Sequence, residues 1–110
     1  VKKKYLIFSK SMSTKKTYTI KAKMFAYTVE ATSWYFVSVD KKVTEEVKKR
    51  ATKKVGFQFV PVEVTVGETT WRTTLFPTKE GPYILALKKM VRQKEDLLAG
   101  DMITLTFRLL

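Results

Sequence analysis

The sequence predicts a single, predominantly β domain with six strands and two short helices. Three observations support this fold class. Apolar and polar residues alternate over most of the chain, as they do in strands that bury one face. Only two short segments have helical spacing instead. With 110 residues, of which 45% are hydrophobic, the chain is long enough for one domain with one core.

The first predicted strand covers residues 17–29, in which the even-numbered residues from Tyr18 to Ala26 are apolar. At ~3.3 Å per residue it would be about 43 Å long, which fits a small barrel only if the strand bends between two sheets. Residues 34–39 are apolar on both faces and are predicted to form a central strand that is covered on both sides.

The first predicted helix follows, because Val43, Val47 and Ala51 recur every four residues and mark one face of about three turns. Its acidic residues come first and its basic residues last, which is the order that the helix dipole favours. Its charges therefore need no functional explanation.

A β-hairpin is predicted around Gly67-Glu68, because alternating valines precede this two-residue turn and a second alternating segment follows it. The turn fixes the register, so that Val64 faces Trp71 and Glu63 faces Arg72 on the outer surface. Arg72 is then the ion-pair partner of Glu63, and the alternative is that it contacts an anionic ligand.

The last third of the chain predicts a short strand at residues 83–87, the second helix at residues 88–98 and a final strand at residues 102–110. Gly100 is predicted to stop the second helix. Trp34, Trp71 and Tyr83 occupy inward positions and are predicted core residues. The alternative for these aromatic residues is a stacking platform, as in proteins that bind single-stranded nucleic acid.

Charge is concentrated at the N-terminus of a chain that has 22 basic and 10 acidic residues. Residues 1–16 form a basic arm ahead of the domain at residues 17–110, and they contain no acid. The lysines of this arm are Lys2, Lys3, Lys4, Lys10, Lys15 and Lys16. Such an arm binds polyanions, above all nucleic acid. The alternative is a lysine-rich surface that keeps the protein soluble, because only four of the basic residues are Arg.

Several classes of function are excluded by composition. The absence of Cys and His removes disulfides, thiol nucleophiles, zinc fingers and a His general base. The carboxylates lie mostly among lysines beside the predicted helices, and Asp96 with Asp101 is too few for a metal site. We therefore expect no enzymatic activity, no cofactor and no metal. No segment has the ~20 apolar residues of a membrane helix, so we expect a cytoplasmic protein without membrane contact.

The second helix has an unusual charge order. Lys88 and Lys89 lie in its first turn and Arg92 in its second, and no Ser, Thr, Asp or Asn precedes them as an N-cap. Free backbone N–H groups beside these cations predict a site for an anionic ligand. The alternative is a solvated face on which Arg92 pairs with Glu95 or Asp96.

Several motifs in one order and spacing resemble the family called domain of unknown function 1905 (DUF1905). They are Trp34-Tyr35-Phe36-Val37 and residues 61–67, 70–77, 81–92 and 97–105. The resemblance covers most of the chain and implies a double-split β-barrel, a pseudobarrel capped by helices. It also implies a bacterial protein, since the family is found joined to a segment linked to bacteriocin protection. Because the family has no established activity, the resemblance implies a fold and not a reaction.

Together these features predict a small non-enzymatic binding module, with its anionic ligand or partner near the start of the second helix. The alternative is weak, nonspecific DNA binding through the lysine-rich arm. It gains support only by analogy with double-split barrels that bind DNA as intertwined dimers. Those dimers build one barrel from two half-length chains, whereas this chain is long enough to close one alone, so we expect a monomer.

Overall fold

Residues 16–51 and 59–110 are described by a computed structural model of the protein, and all the elements below lie within them. The seven strands are β1 (Thr17–Lys23), β2 (Phe25–Val29), β3 (Thr32–Ser38), β4 (Val60–Val66), β5 (Thr69–Phe76), β6 (Ile84–Ala86) and β7 (Met102–Leu109). The two helices are α1 (Lys41–Ala51) and α2 (Lys89–Lys94).

All seven strands belong to one antiparallel sheet that curls into a half-barrel. Their order is β1-β7-β4-β5-β6-β3-β2, so the two edges of the sheet are β1 and β2. Because these strands are consecutive in the chain, one short connection joins the two edges of the sheet. The strand-dominated, barrel-like fold that the sequence predicts is thereby confirmed.

The long strand predicted at residues 17–29 is interrupted at Met24, which is buried. The Met24 N–H donates to Asp101 O at 2.9 Å, and its carbonyl accepts from the Gly100 N–H at 2.8 Å. Before this point the chain pairs with β7, and after it the chain pairs with β3. The bend that the strand's length required therefore occurs at Met24.

The core consists of inward-facing residues from every strand except β2. The four alternating valines of β4, Val60 to Val66, are all buried. Each helix adds one fully buried valine, Val47 from α1 and Val91 from α2. Burying such a side chain contributes about 1.5 to 3 kcal/mol. The core therefore explains why both short helices hold their places against the sheet.

α1 is fixed to the sheet by polar contacts at its first turn. Asp40 caps it, since the Val43 N–H donates to Asp40 Oδ1 at 2.9 Å. The buried Thr44 hydroxyl donates to Val39 O at 3.1 Å and accepts from the Tyr83 N–H at 3.2 Å. These bonds join α1 to the end of β3 and the start of β6.

The predicted hairpin register is confirmed, with Val64 opposite Trp71 and Glu63 opposite Arg72. Gly67 occupies the left-handed region at φ +58°. Glycine adopts this backbone conformation at the lowest energetic cost of any residue, because it has no Cβ to clash with the backbone.

Three expectations about elements are wrong. The first turn of α1 contains no acid and instead holds Lys41 and Lys42, so the start of this helix does not have the charge order that the helix dipole favours. β3 lies next to the edge of the sheet, and Trp34 is 47% exposed instead of covered. α2 ends at Lys94 and not before Gly100. The Leu97 N–H donates to Arg92 O at 2.9 Å, with Asp96 between them at φ +56°, which is the Schellman arrangement that stops a helix. Asp accepts this conformation more readily than most residues, so Asp96 supplies the stop.

Candidate functional site

The start of α2 has the open geometry that the sequence predicts. Lys88 precedes the helix in an extended conformation, and no side chain caps the first turn. Lys88 and Lys89 are both exposed. These two lysines are the part of the predicted anion site that the structure leaves facing solvent.

Arg92 turns back over its own helix. Its Nε donates to Leu87 O at 3.0 Å, and its guanidinium carbon lies 3.9 Å from the centroid of the Tyr35 ring. The Leu87 N–H in turn donates to Tyr35 O at 2.9 Å. The guanidinium therefore holds the start of α2 against β3, and it pairs with neither of the acids predicted as its partners.

Glu95 has a structural role that its position after α2 did not suggest. Its carboxylate accepts from the Glu68 N–H at 3.2 Å and from the Thr69 hydroxyl at 2.6 Å. A Cβ on Gly67 would collide with that carboxylate. α2 is thus tied at its start to β3 through Arg92 and at its end to the β4–β5 turn through Glu95.

Arg72 is exposed on the outer face of β5, and the ion pair predicted for it is formed by another arginine. Arg108 on β7 also faces Glu63, and it donates through Nε at 2.9 Å and Nη2 at 2.8 Å to Glu63 Oε1. Among the described residues, no ion pair involves Arg72. The described contacts do not join Arg72 to Lys88 or Lys89.

The last lysine of the basic arm, Lys16, contacts α1 through the side chain of Glu46. Lys16 Nζ is 2.8 Å from Glu46 Oε2, the Tyr18 hydroxyl is 3.4 Å from the same oxygen, and Arg50 Nε is 3.7 Å away. The hydrogen bond from Lys16 lowers the pKa of Glu46 below its ordinary value. The other lysines of the arm, Lys2, Lys3, Lys4, Lys10 and Lys15, lie outside the described residues.

Lys16 and Glu46 belong to the two segments of the sequence that carry almost all of the net charge. Residues 1–16 and 41–54 together hold thirteen basic and two acidic residues, whereas the rest of the chain holds nine basic and eight acidic residues. We call the basic residues of these two segments the basic surface, and the structure describes six of them: Lys16, Lys41, Lys42, Lys48, Lys49 and Arg50. The rest of the molecule is therefore close to neutral, which the total charge alone does not reveal.

The structure also shows an aromatic feature that the sequence analysis missed. β2 and β3 form a two-stranded extension, here called the ribbon (residues 25–38), of which only the base, Phe36 to Ser38, pairs with β6. Tyr27 is 57% exposed and packs against Trp34 with ring centroids 6.3 Å apart. Phe25 packs in the same way on Phe36 at 5.8 Å.

A signal for this feature was present in the alternation of the first strand. Up to Lys23 the outward, odd-numbered positions are Thr or Lys, and from Phe25 onward they are Phe, Tyr and Val. Residues 24–40 also contain no Lys or Arg, in a chain of which a fifth is basic. Beside the ribbon lies an open, mostly apolar groove of about 390 Å³, lined by Phe25, Tyr27, Ser38, Thr78, Glu80, Pro82 and Ile84.

Within residues 16–51 and 59–110, no three acidic side chains come together as a metal site would need. No helix in that part of the chain is long and apolar enough to cross a membrane.

A search of curated proteins finds no match. The model of one family, described as a domain of unknown function, matches residues 21–107, which is most of the chain. The chain therefore belongs to this family, DUF1905, which has no assigned activity.

Proposed function

We propose that the protein is a small non-enzymatic binding module whose partner is a nucleic acid, contacted by the basic surface. The observation that supports this proposal is the contact of Lys16 with Glu46, which joins the last residue of the arm to α1. The two segments to which these residues belong contain thirteen basic residues and two acids, in a chain that is otherwise nearly neutral. Such a concentration of one charge attracts phosphates over a long range.

The type of cation indicates how the partner is bound. All but one of the thirteen basic residues are Lys, and Arg50 is the exception. Lys acts as a point charge on phosphate oxygens, whereas bidentate contacts to bases are mostly made by Arg. We therefore expect binding without sequence preference, driven by counterion release and steeply weakened by salt.

The test is a fluorescence-anisotropy titration of the full chain with labelled single-stranded and double-stranded oligonucleotides at about 50 and about 200 mM salt. The variant is Lys41→Glu with Lys42→Glu, on exposed residues at the start of α1. Acids at a helix start are favoured by the helix dipole, so this change does not threaten the fold. We expect affinity to fall at least about tenfold, with a shallower salt dependence, because two phosphate contacts are lost.

The matched control is Lys88→Glu with Lys89→Glu, which makes the same change of charge at the start of α2. If the basic surface is the contact, this control binds nearly as tightly as the unmodified chain. The absence of binding by the unmodified chain at low salt would refute the nucleic-acid proposal.

A second candidate is an anionic ligand at the start of α2, the function first predicted from the sequence. The uncapped first turn and the exposure of Lys88 and Lys89 favour it. Against it, α2 has only six residues and Arg92 is engaged with Leu87 and Tyr35. The same titration separates the two candidates, since only this one loses binding in the control variant and keeps it in the α1 variant.

That the protein is bacterial and that it is cytoplasmic both stay predictions.

A further inference from the structure

We infer that the ribbon is a self-association surface, on which β2 pairs antiparallel with β2 of a second copy of this chain. This inference is independent of the proposed function, because it concerns a different surface. It rests on three observations: an unused backbone edge, a local absence of positive charge and a row of exposed apolar side chains.

The unused edge follows from the hairpin register. Val29 faces Thr32 across a two-residue turn, and in such a hairpin this pair exchanges backbone hydrogen bonds. Bonded pairs then alternate with non-bonded pairs along the strands, so Tyr27 is bonded to β3. The N–H and C=O groups of Ala26 and Thr28 point to the opposite edge. Within the described part of the chain, no strand pairs with that edge.

A second copy satisfies these groups in one symmetric arrangement. When the pairing is centred on Tyr27, Ala26 faces Thr28 of the second copy and Thr28 faces Ala26 of the second copy. Each of these pairs exchanges two N–H···O=C bonds. Tyr27 then faces Tyr27 of the second copy in the non-bonded position between them, where opposing side chains are closest. The same patch serves both copies, as a two-fold interface requires.

Charge selects a second copy over the other kinds of partner. Copies of a chain with a net charge of +12 repel each other over most of their surface. Residues 24–40 contain two acids and no Lys or Arg, so the repulsion is smallest at the ribbon. The same lack of cations makes the ribbon a poor stacking site for nucleic acid, whose binding grooves are basic.

The two edge strands differ in their protection against pairing. β1 carries Lys21 and Lys23 on its exposed positions, and charged residues of this kind commonly keep sheet edges apart. β2 has no charged residue along its five positions, and Phe25, Tyr27 and Val29 are exposed on one face. An apolar edge of this kind is a template for a further strand.

Further apolar surface lies at the base of the same edge. The Gly100 N–H donates to Met24 O, which places the loop before β7 there, with Leu98 68% exposed and Met102 56% exposed. One five-residue strand pair with these side chains is still a small interface, so we expect a weak dimer. A dimer differs from the monomer that chain length led us to expect, because the sheet is a half-barrel in which, within the described part of the chain, the edge at β2 stays unpaired.

The test is sedimentation equilibrium of the full chain over micromolar to millimolar concentrations, at low and moderate salt. Salt screens the repulsion between the copies, so we expect the dimer to tighten as salt rises, the opposite of nucleic-acid binding. Ala26→Pro removes an N–H that the hairpin does not use, and Tyr27→Lys adds a charge at the two-fold axis. We expect each variant to raise the dimer dissociation constant at least about tenfold.

The control is Thr104→Lys, which adds the same charge at another exposed strand position, and circular dichroism verifies that all three variants are folded. Two results would overturn the inference. One is an unmodified chain that stays monomeric at every concentration and salt. The other is an oligomer that Ala26→Pro and Tyr27→Lys leave unchanged, which would place the contact elsewhere, the basic arm included.

Discussion

Gly67 occupies a position at which two separate requirements exclude any side chain. Its backbone is in the left-handed region, and the space where a Cβ would stand is taken by the carboxylate of Glu95. That carboxylate accepts two hydrogen bonds from the residues after the turn, Glu68 and Thr69. One residue without a side chain thus allows α2 to be attached to the β4–β5 hairpin.

We expect Gly67→Ala to lower the free energy of unfolding by about 1 to 3 kcal/mol, because it adds backbone strain and displaces Glu95. Urea denaturation measures the loss. Gly100→Ala is the control, since Gly100 also has a positive φ but open space around its Cβ position. If both variants lose the same stability, the contact with Glu95 contributes nothing to the cost at Gly67.

Arg92 is a second residue whose role only the structure defines. The change in stability when Arg92 is replaced shows whether its side chain holds α2 in place or is available for an anionic ligand. We expect Arg92→Met to lower the free energy of unfolding by about 1 to 2 kcal/mol, through loss of the bond to Leu87 O and of the contact with the Tyr35 ring. Lys94→Met, an exposed change on the same helix, controls for the lost charge. Unchanged stability in urea would mean that Arg92 is available for a ligand.

At the scale of elements, the strands were predictable because alternation is a local property. The β4–β5 hairpin was predicted to the residue, since Gly67-Glu68 fixes both the turn and the register. The length of the first predicted strand indicated that the strand bends somewhere. Its position was not, because it depends on bonds to Gly100 and Asp101, far along the chain.

The elements around α2 show where local patterns fail. The order of charges in α2 looked like a functional exception, yet Arg92 and Glu95 each have a partner on a distant strand or turn. Whether a residue such as Trp34 is buried likewise depends on the position of its strand in the sheet. β3 lies next to an edge, so an apolar strand that resembles a central one leaves Trp34 half-exposed.

At the scale of the whole molecule, charge and apolar surface are separated. The basic surface holds nearly all of the net charge, whereas the ribbon holds exposed aromatic residues and no cation. A single total of +12 hid this division, because a sum does not show which segments carry the charge. In the structure, the contact of Lys16 with Glu46 brings the last lysine of the first segment to α1, which belongs to the second.

The dependence of stability on pH is also a property of the whole molecule, because the chain has no His. No side chain has an ordinary pKa between those of the carboxylates and those of Tyr and Lys, so we expect stability to be flat from about pH 6 to about pH 9. Above that range, the free energy of unfolding depends on the ionisation of two buried tyrosines. Burial raises the pKa of Tyr18 and of Tyr83 above 10.0, and Glu45 raises that of Tyr83 further.

A tyrosine whose pKa is raised by folding stabilises the fold fully below the unfolded pKa, and this stability is lost as the pH rises through the folded value. We therefore expect the urea midpoint of the unmodified chain to fall as the pH rises above 10.0, the ordinary pKa of both groups. The double variant Tyr18→Phe with Tyr83→Phe has no buried phenol to ionise, so its midpoint should fall much less over the same range. Parallel curves for the two proteins would contradict this assignment and attribute the alkaline loss to deprotonation of the lysines instead.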